Sequence, residues 1–406
     1  MFKDYLKLAW ENIAHRRLRS LLTIIGIVIG IMTVVALVSL GQGVRQVIIS
    51  EFSKIGTDKI FVNPGGGWGE DVNGLRPLTE DDTSVIERTK GVSEAAGMIY
   101  KIARIEYNRE LFFTSMYGIP LDEDLNLIEE TWNFEYIEGR GLKSGDKYKV
   151  IVGYEVAYGK AFGRNVGLGD NIKIQNVEFD VVGILKSTGD PDSDNSITIP
   201  KDIAAELFFD EGDVVEESFI VARTDAGEDP EKIAEEIERS LRRYRNVDEG
   251  EEDFNVQTTS QILESFDVIL GALSGIIIGI AAISLFVGGV GIMNTMYTAV
   301  LQRTSEIGVM KAIGAKNSQV LTIFLIESGV IGLIGGAIGL LLGMGLSAGI
   351  AWIGRTFLNT ILLYAYFPWY LLVGALLFAF VVGALSGILP AIQASRQKPV
   401  EALRYE

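Results

Sequence analysis

The sequence predicts a membrane α-helical protein with four transmembrane helices plus an α+β extracytoplasmic domain of two lobes. Three observations carry this prediction. Four apolar stretches are long enough to cross a bilayer, which takes about 20 residues each. Charge is segregated along the chain: residues 41–268 hold 47 Asp/Glu and 24 Lys/Arg, whereas the remainder holds 6 acids and 12 bases. Lys and Arg also favour alternate flanks of the apolar stretches, which sets the orientation. A chain that is 48% apolar yet 22% charged is therefore one soluble acidic body joined to a basic, apolar remainder.

Residues 1–20 read as a cytoplasmic interfacial amphipathic helix. Phe2, Leu6, Ala9 and Ile13 recur at helical spacing with Tyr5 and Trp10 beside them. The simpler alternative is a cytoplasmic start to the first span. That span covers residues 21–42 and is charge-free. Its apolar core exceeds a signal-peptide h-region, and no A-x-A-like site follows at 39–43, so cleavage is disfavoured. The other spans are expected over 267–302, 318–353 and 369–392, the second and third long enough to tilt or to extend past the bilayer. Lys3, Lys7, Arg16, Arg17 and Arg19 precede span one, and Arg303, Lys311 and Lys316 follow span two. Arg396, Lys398 and Arg404 lie in the tail, 393–406, whereas the loop 354–368 holds only Arg355. Both termini and the loop 303–317 are thus expected in the cytoplasm. The acidic domain and the loop 354–368 are expected outside a multi-pass, lipid-embedded protein of the cell (inner or plasma) membrane.

The acidic domain, residues 43–266, reads as mixed α and β. A strand over 59–63 ends at Pro64 and a turn at 65–67. Thr79, with Asp82 three residues on, caps a helix running to about residue 88. Strands follow at 99–107 and 111–119, then at 149–152, 171–174 and 177–185, with turns at Gly167, Gly169 and Asp170. After a strand at 219–222, Asp229 and Pro230 open a helix with Ile233, Ile237, Leu241 and Tyr244 on one face. A strand at 254–257 closes the domain. The early and late β-α-β segments read as one split lobe, 43–121 and 213–258, with a strand-rich lobe, 122–212, inserted. From Thr259 the chain reads helical, making 259–268 a stalk continuous with span two. The acidity reads as a solvated surface, with attraction of a cationic ligand as the alternative.

Several chemistries are excluded. With no cysteine there is no disulfide or thiolate metal site. With His15 as the one histidine there is no His-rich metal site and no Ser-His-Asp arrangement beyond the first twenty residues. Neither G-x-x-x-x-G-K-[ST] nor H-E-x-x-H occurs, and Gly163, Gly167 and Gly169 are explained by turns. Basic residues near the membrane are few and dispersed, which argues against nucleic acid. No catalytic residue, metal site or bound cofactor is expected in this chain.

Polar groups in the spans are scarce, whereas a pathway for small polar solutes usually needs them at mid-bilayer. Glu327 is the intramembrane acid, placed near the cytoplasmic start of span three. It either pairs with the basic middle loop or reaches interfacial water. Gly332, Gly335, Gly336, Gly339 and Gly343 give span three several four-residue small-xxx-small pairs, and Gly271, Gly275 and Gly279 do so in span two. This spacing suits close helix packing, within the chain or between protomers.

The loop after span two reads Arg303-Thr-Ser-Glu306-Ile307-Gly308-Val-Met-Lys311-Ala312-Ile313-Gly314-Ala315. Ile307, Met310, Lys311 and Gly314 share a helical face, and Gly314 suits a helix end. This R-x-x-E-I-G-x-x-K-A-I-G-A pattern resembles the loop of MacB/FtsX-type permeases of ATP-binding cassette (ABC) transporters. The resemblance continues through Phe324-Leu325-Ile326-Glu327, Gly387-Ile388-Leu389-Pro390-Ala391 and Pro399-Val400-Glu401-Ala402-Leu403-Arg404. At the N-terminal end it rests on Arg17-Leu18-Arg19-Ser20-Leu21-Leu22-Thr23 with Gly26 and Gly30. In the acidic domain it rests on Glu138-Gly139-Arg140-Gly141-Leu142, Val166-Gly167-Leu168-Gly169-Asp170 and Phe179-Asp180-Val181-Val182-Gly183-Ile184.

The resemblance implies a MacB-like extracytoplasmic domain. It also implies two paired permease chains, a homodimer or a related heterodimer, seated on two ABC ATPase subunits that bind ATP and Mg. Arg303, Glu306, Ile307, Gly308, Lys311, Ala312, Gly314 and Ala315 would form the ATPase-coupling element. The chain would be a non-catalytic permease subunit whose ATPase is a separate polypeptide. ATP-driven motion would move the stalks and the outer domain to export or extract a hydrophobic or amphipathic substrate such as a peptide, antibiotic or lipoprotein. An extracytoplasmic adaptor is a further partner the resemblance allows. The alternatives are a transducer that regulates an outer partner such as a cell-wall hydrolase, and a passive receptor without an ATPase.

Overall fold

The computed structural model describes residues 17–65, 76–122, 124–159, 162–357, 360 and 363–399. All but residues 17–20 of the expected interfacial helix lie outside the described residues, as do 400–406 of the tail. The chain forms two compact units: Met1–Arg45 with Ile269–Ile353 and Leu363–Glu406, and Gln46–Val268 with Gly354–Leu362. The first helix, α1 (Arg17–Ile55), has residues in both.

The second unit, the α/β unit hereafter, is α+β by class, with helices packed on a mainly antiparallel sheet. Its elements are β1 (Lys59–Pro64), β2 (Leu78–Thr79), α2 (Glu80–Glu87), β3 (Val92–Tyr107), β4 (Glu110–Ile119), α3 (Leu125–Thr131), β5 (Tyr136–Gly139) and β6 (Lys149–Val152). They continue with α4 (Tyr154–Tyr158), β7 (Asn171–Ile174), β8 (Val177–Leu185), α5 (Pro191–Asp194), β9 (Ser196–Pro200) and α6 (Lys201–Phe208). The last are β10 (Glu216–Glu217), β11 (Phe219–Thr224), α7 (Pro230–Arg245) and β12 (Phe254–Thr258). Strands run in the order β12-β1-β11-β3-β4-β9-β6-β8-β5, with β7 joined to β3 and β8, and β10 paired to β2 apart. The β4–β9 and β6–β8 pairs are parallel and the others antiparallel.

The split lobe was expected to hold residues 99–119 apart from the inserted one. The hydrogen bonding runs differently, because β3 is one long strand. Its first part pairs with β11 and its second with β4. β4 in turn pairs with β9, from the stretch expected as the insertion. Ile99, Ile105 and Met116 share a core with Val150, Phe179, Ile197 and Ile199. A separate core gathers Ile60, Val62, Ile86, Ile220, Ile237 and Leu241. Alternation in a strand tells which face is buried but not which strand lies beside it.

Local chemistry explains the element ends. Asn108 and Arg109 both take positive φ, 51° and 66°, and make the two-residue hairpin turn between β3 and β4. Gln175 and Asn176 do the same between β7 and β8. The Thr79 amide donates to the Asp82 carboxylate at 2.9 Å, closing the start of α2. Asp229 caps α7, Pro230 fills its first turn, and left-handed Asn246 ends it. Ile233, Ile237 and Leu241 of α7 are buried as their spacing predicts, but Tyr244 is 43% exposed, its hydroxyl donating to Asp81.

Asp82 is also half of a buried ion pair. Arg245, the last residue of α7, donates Nε and Nη2 to its two oxygens at 2.9 and 2.7 Å. Both side chains are essentially inaccessible, and Asp253 lies 3.0 Å from Arg245 Nη1. Two acids and a helix start are thus organised by one guanidinium: Asp82 caps α2 while it holds the end of α7.

The first unit is helical. α8 (Thr259–Gln302) runs as one helix through the expected stalk and second span. It is followed by α9 (Thr304–Ala312), α10 (Asn317–Phe357), α11 (Trp369–Ser386) and α12 (Ile388–Arg396). Among the described residues, four helices, in α1, α8, α10 and α11, are long and apolar enough to cross a membrane. Their shared core includes Ile27, Ile31 and Val35 of α1, Ile292, Met296 and Val300 of α8, and Phe324 of α10, spaced mostly at i, i+4. The opposite face of α8, with Ile276, Ile283 and Phe286, is exposed. The fourth span, expected as one helix over 369–392, breaks at Gly387. Pro390 then sits in the first turn of α12, where its missing N–H costs no helical hydrogen bond.

Candidate functional site: the α9 element

α9 is short, nine residues, and is held at both ends. Arg303 occupies its N-cap position. Its Nε donates to Glu306 at 2.9 Å, and its Nη1 donates to both oxygens of Glu327 on α10, at 2.9 and 3.2 Å. The same guanidinium lies 5.6 Å from the centre of the Phe324 ring. Glu327 is therefore paired with the loop arginine, and its side chain is only 12% exposed. A carboxylate within a membrane helix is costly unless it is partnered in this way.

At the other end, Lys311 donates its ammonium to the carbonyls of Ser395 and Gln397. These are unpaired carbonyls at the C-terminus of α12, where a cation is favoured by the helix dipole as well as by hydrogen bonding. Gly314, at φ 101°, ends α9. The Ala315 amide bonds to Met310 O and the Gly314 amide to Lys311 O, the two bonds of a Schellman cap. That conformation needs glycine, so the chain reverses sharply here for a sequence reason.

Of the eight residues singled out in this loop, four turn toward the bundle. Arg303 and Lys311 make the bonds just described, Ile307 is fully buried, and Gly308 is buried. Glu306, Ala312 and Gly314 are exposed, and Ala315 is half-buried. The sequence reading missed the two most prominent apolar groups on the outer face, Val309 at 49% and Ile313 at 82% exposure. They lie four apart, a spacing that would have placed them on one face opposite Ile307 and Lys311.

Four of the five glycines singled out in α10 meet helices of the same chain. A Cβ on Gly332 would lie 2.3 Å from Ala379 O and 3.0 Å from the Cα of Gly383, both on α11, and one on Gly336 would lie 2.5 Å from Ala379 Cβ. A Cβ on Gly339 or Gly343 would lie 2.7 Å from Val28 O or 2.8 Å from Met32 O, on α1. Gly335 is buried. Gly271, Gly275 and Gly279 of α8 have nothing within 4 Å. Among the described residues, no group of three or more His, Cys, Asp or Glu side chains could hold a metal ion.

Residues 20–240 match the family model described as the MacB-like periplasmic core domain, and residues 267–399 match the FtsX-like permease C-terminal model. The chain is 40% identical over 404 residues to an uncharacterized ABC transporter permease of Methanocaldococcus jannaschii, covering 99% of this chain and 98% of that protein. It is 30% identical over 418 residues to the macrolide export ATP-binding/permease protein MacB of Hahella chejuensis, covering 100% of this chain and 60% of that protein. Among solved structures, the periplasmic region of MacB from Actinobacillus actinomycetemcomitans is 15% identical with a TM-score of 0.45, covering 55% of this chain and 98% of that one.

Proposed function

This chain belongs to the ABC transporter permeases of the MacB/FtsX type, and from that premise we propose that it turns ATP-driven motion of ABC ATPase subunits into movement of its α/β unit. In this reading α9 is the coupling element, and its exposed face, Glu306, Val309, Ala312 and Ile313, docks on the ATPases. The α/β unit lies on the opposite, extracytoplasmic side, in keeping with the Lys/Arg-rich flanks of the loop 303–317. ATP and Mg are bound by the ATPases, on a chain of their own. In support, the relative matched over 98% of its length is called a permease, whereas MacB, matched over 60%, is an ATP-binding/permease protein. Two permease copies work together, and the cargo is a hydrophobic or amphipathic molecule exported or extracted from the membrane's outer side.

The observation that carries this reading is the two-sided clamp on α9. A push on its outer face is passed to α10 through Arg303–Glu327 and to α12 through Lys311, rather than being absorbed by a loose loop. α1 and α8 supply the long route. At 1.5 Å per residue, the 44 residues of α8 span about 66 Å without interruption. The test is co-purification with the ABC ATPase expressed from the same organism's genome. Val309→Asp with Ile313→Asp is expected to reduce the recovered ATPase at least tenfold, with an unchanged melting temperature, because both side chains face outward. Undiminished recovery would remove α9 from the interface.

A further inference from the structure

A cavity of about 210 Å³ lies wholly within the α/β unit, beside the last turns of α1. Its apolar lining is Met98 of β3, Tyr117 of β4, Trp132 and Phe134 after α3, and Leu185 of β8. Two ion pairs stand at its mouth: Glu51 with Lys54 on α1, at 2.9 Å, and Glu135 with Lys186, at 2.6 Å. Lys186 holds the Glu135 carboxyl below its ordinary value by hydrogen bond and charge, with a further pull from Lys54 of the other pair.

The walls are set by bonds that a ligand need not make. The buried Asp194 carboxylate accepts from Ser187 Oγ at 2.6 Å and from the amides of Thr188 and Gly189 at 2.8 and 3.2 Å. Asp192 accepts the Tyr117 hydroxyl at 3.0 Å. The Trp132 ring rests against Phe219 with centroids 5.3 Å apart. A preformed pocket of this kind loses little freedom when filled.

Size and charge narrow the occupant. Pockets for drug-sized ligands run to roughly 300–1,000 Å³, so this one suits something smaller. The mouth carries two carboxylates and two ammonium groups in balance, and the Asp194 carboxylate of the wall is already taken up by its own hydrogen bonds, on a domain with 47 acids and 24 bases. A ligand of single charge would oppose one member of each pair, whereas a zwitterion can satisfy both. The aromatic lining favours a flat ring.

We propose that this cavity binds a free aromatic amino acid. Its ring lies against Trp132 and Phe134, its ammonium faces the glutamates, and its carboxylate faces the lysines. Because Glu51 and Lys54 belong to α1, an occupied site ties that helix to the sheet.

The experiment is isothermal titration calorimetry on the full chain in detergent, using L-phenylalanine, phenethylamine, 3-phenylpropionate and L-alanine. Saturable binding of phenylalanine is expected, with each of the other three at least tenfold weaker. Glu135→Gln and Lys186→Gln are each expected to weaken phenylalanine at least tenfold with unchanged melting, since both side chains are more than half exposed. Absence of saturable heat with phenylalanine, equal binding of phenethylamine or alanine, or full affinity in both variants would each overturn the assignment. None of these outcomes depends on the ATPase reading.

Discussion

Replacing Arg245 by Ala destabilises the α/β unit by about 3–5 kcal/mol, the range expected when one partner of a buried ion pair is removed. The size follows from what is left behind. Asp82 is 1% exposed and would be left buried without the cation that partners it. It cannot turn to solvent, because its oxygens also hold the Thr79 amide and hydroxyl at the start of α2. The arginine further donates to Pro77 O at 2.8 Å, so a backbone carbonyl loses its partner as well. Denaturant unfolding in detergent, followed by a probe in the α/β unit, measures the loss. Replacing both residues, Asp82→Ala with Arg245→Ala, should cost less than the sum of the two single changes, since the orphaned carboxyl goes with its partner. A single-variant loss below about 1 kcal/mol would mean that water reaches the pair and that it is not buried in solution.

Gly332→Leu is expected to prevent the helical unit from assembling. Its Cβ alone would come within 2.3 Å of a backbone carbonyl and 3.0 Å of a backbone Cα on α11. Backbone atoms of a packed helix cannot swing away as a side-chain tip can, so the helices must separate. Overpacking typically costs about 1–3 kcal/mol where side chains can adjust, and more where they cannot. The readout is the monodisperse fraction after size-exclusion chromatography in detergent, with loss of that peak expected. Gly275→Leu on α8 is the matched control, because nothing lies within 4 Å of that Cβ position. It should leave the peak intact. Equal recovery of the two variants would contradict the close approach of α10 to α11.

Much of this architecture is legible in the residues. The spans are visible because charge is absent over bilayer lengths, a signal that no tertiary contact can mask. The strands 149–152, 171–174 and 177–185 agree with the observed elements because turn residues bracket them. β9 was missed: all five of its residues are buried, so it shows no alternation, and prolines and short polar runs surround it. Its parallel pairing with β4 links segments some eighty residues apart and leaves no local trace. The site divides the same way. A pairing of Glu327 with the basic middle loop was one of two readings open in the sequence, and the charge types alone did not say that Arg303 is the partner. The Lys311 bonds were not readable, since its acceptors are main-chain carbonyls that any residue could supply. Nor could residue type separate the buried Ile307 from the exposed Ile313.

The central claim is that the outer face of α9 and the α/β unit lie on opposite sides of the membrane, joined by continuous helices. The chain contains no cysteine, so single cysteines can be introduced at Ile313 and at Val214, both well exposed. A thiol reagent that cannot cross membranes is then applied to intact cells. Labelling at Val214 without disruption, with labelling at Ile313 only after permeabilisation, is the expected result. The reverse pattern, or labelling of both positions in intact cells, would contradict the proposed transfer of motion from one side to the other.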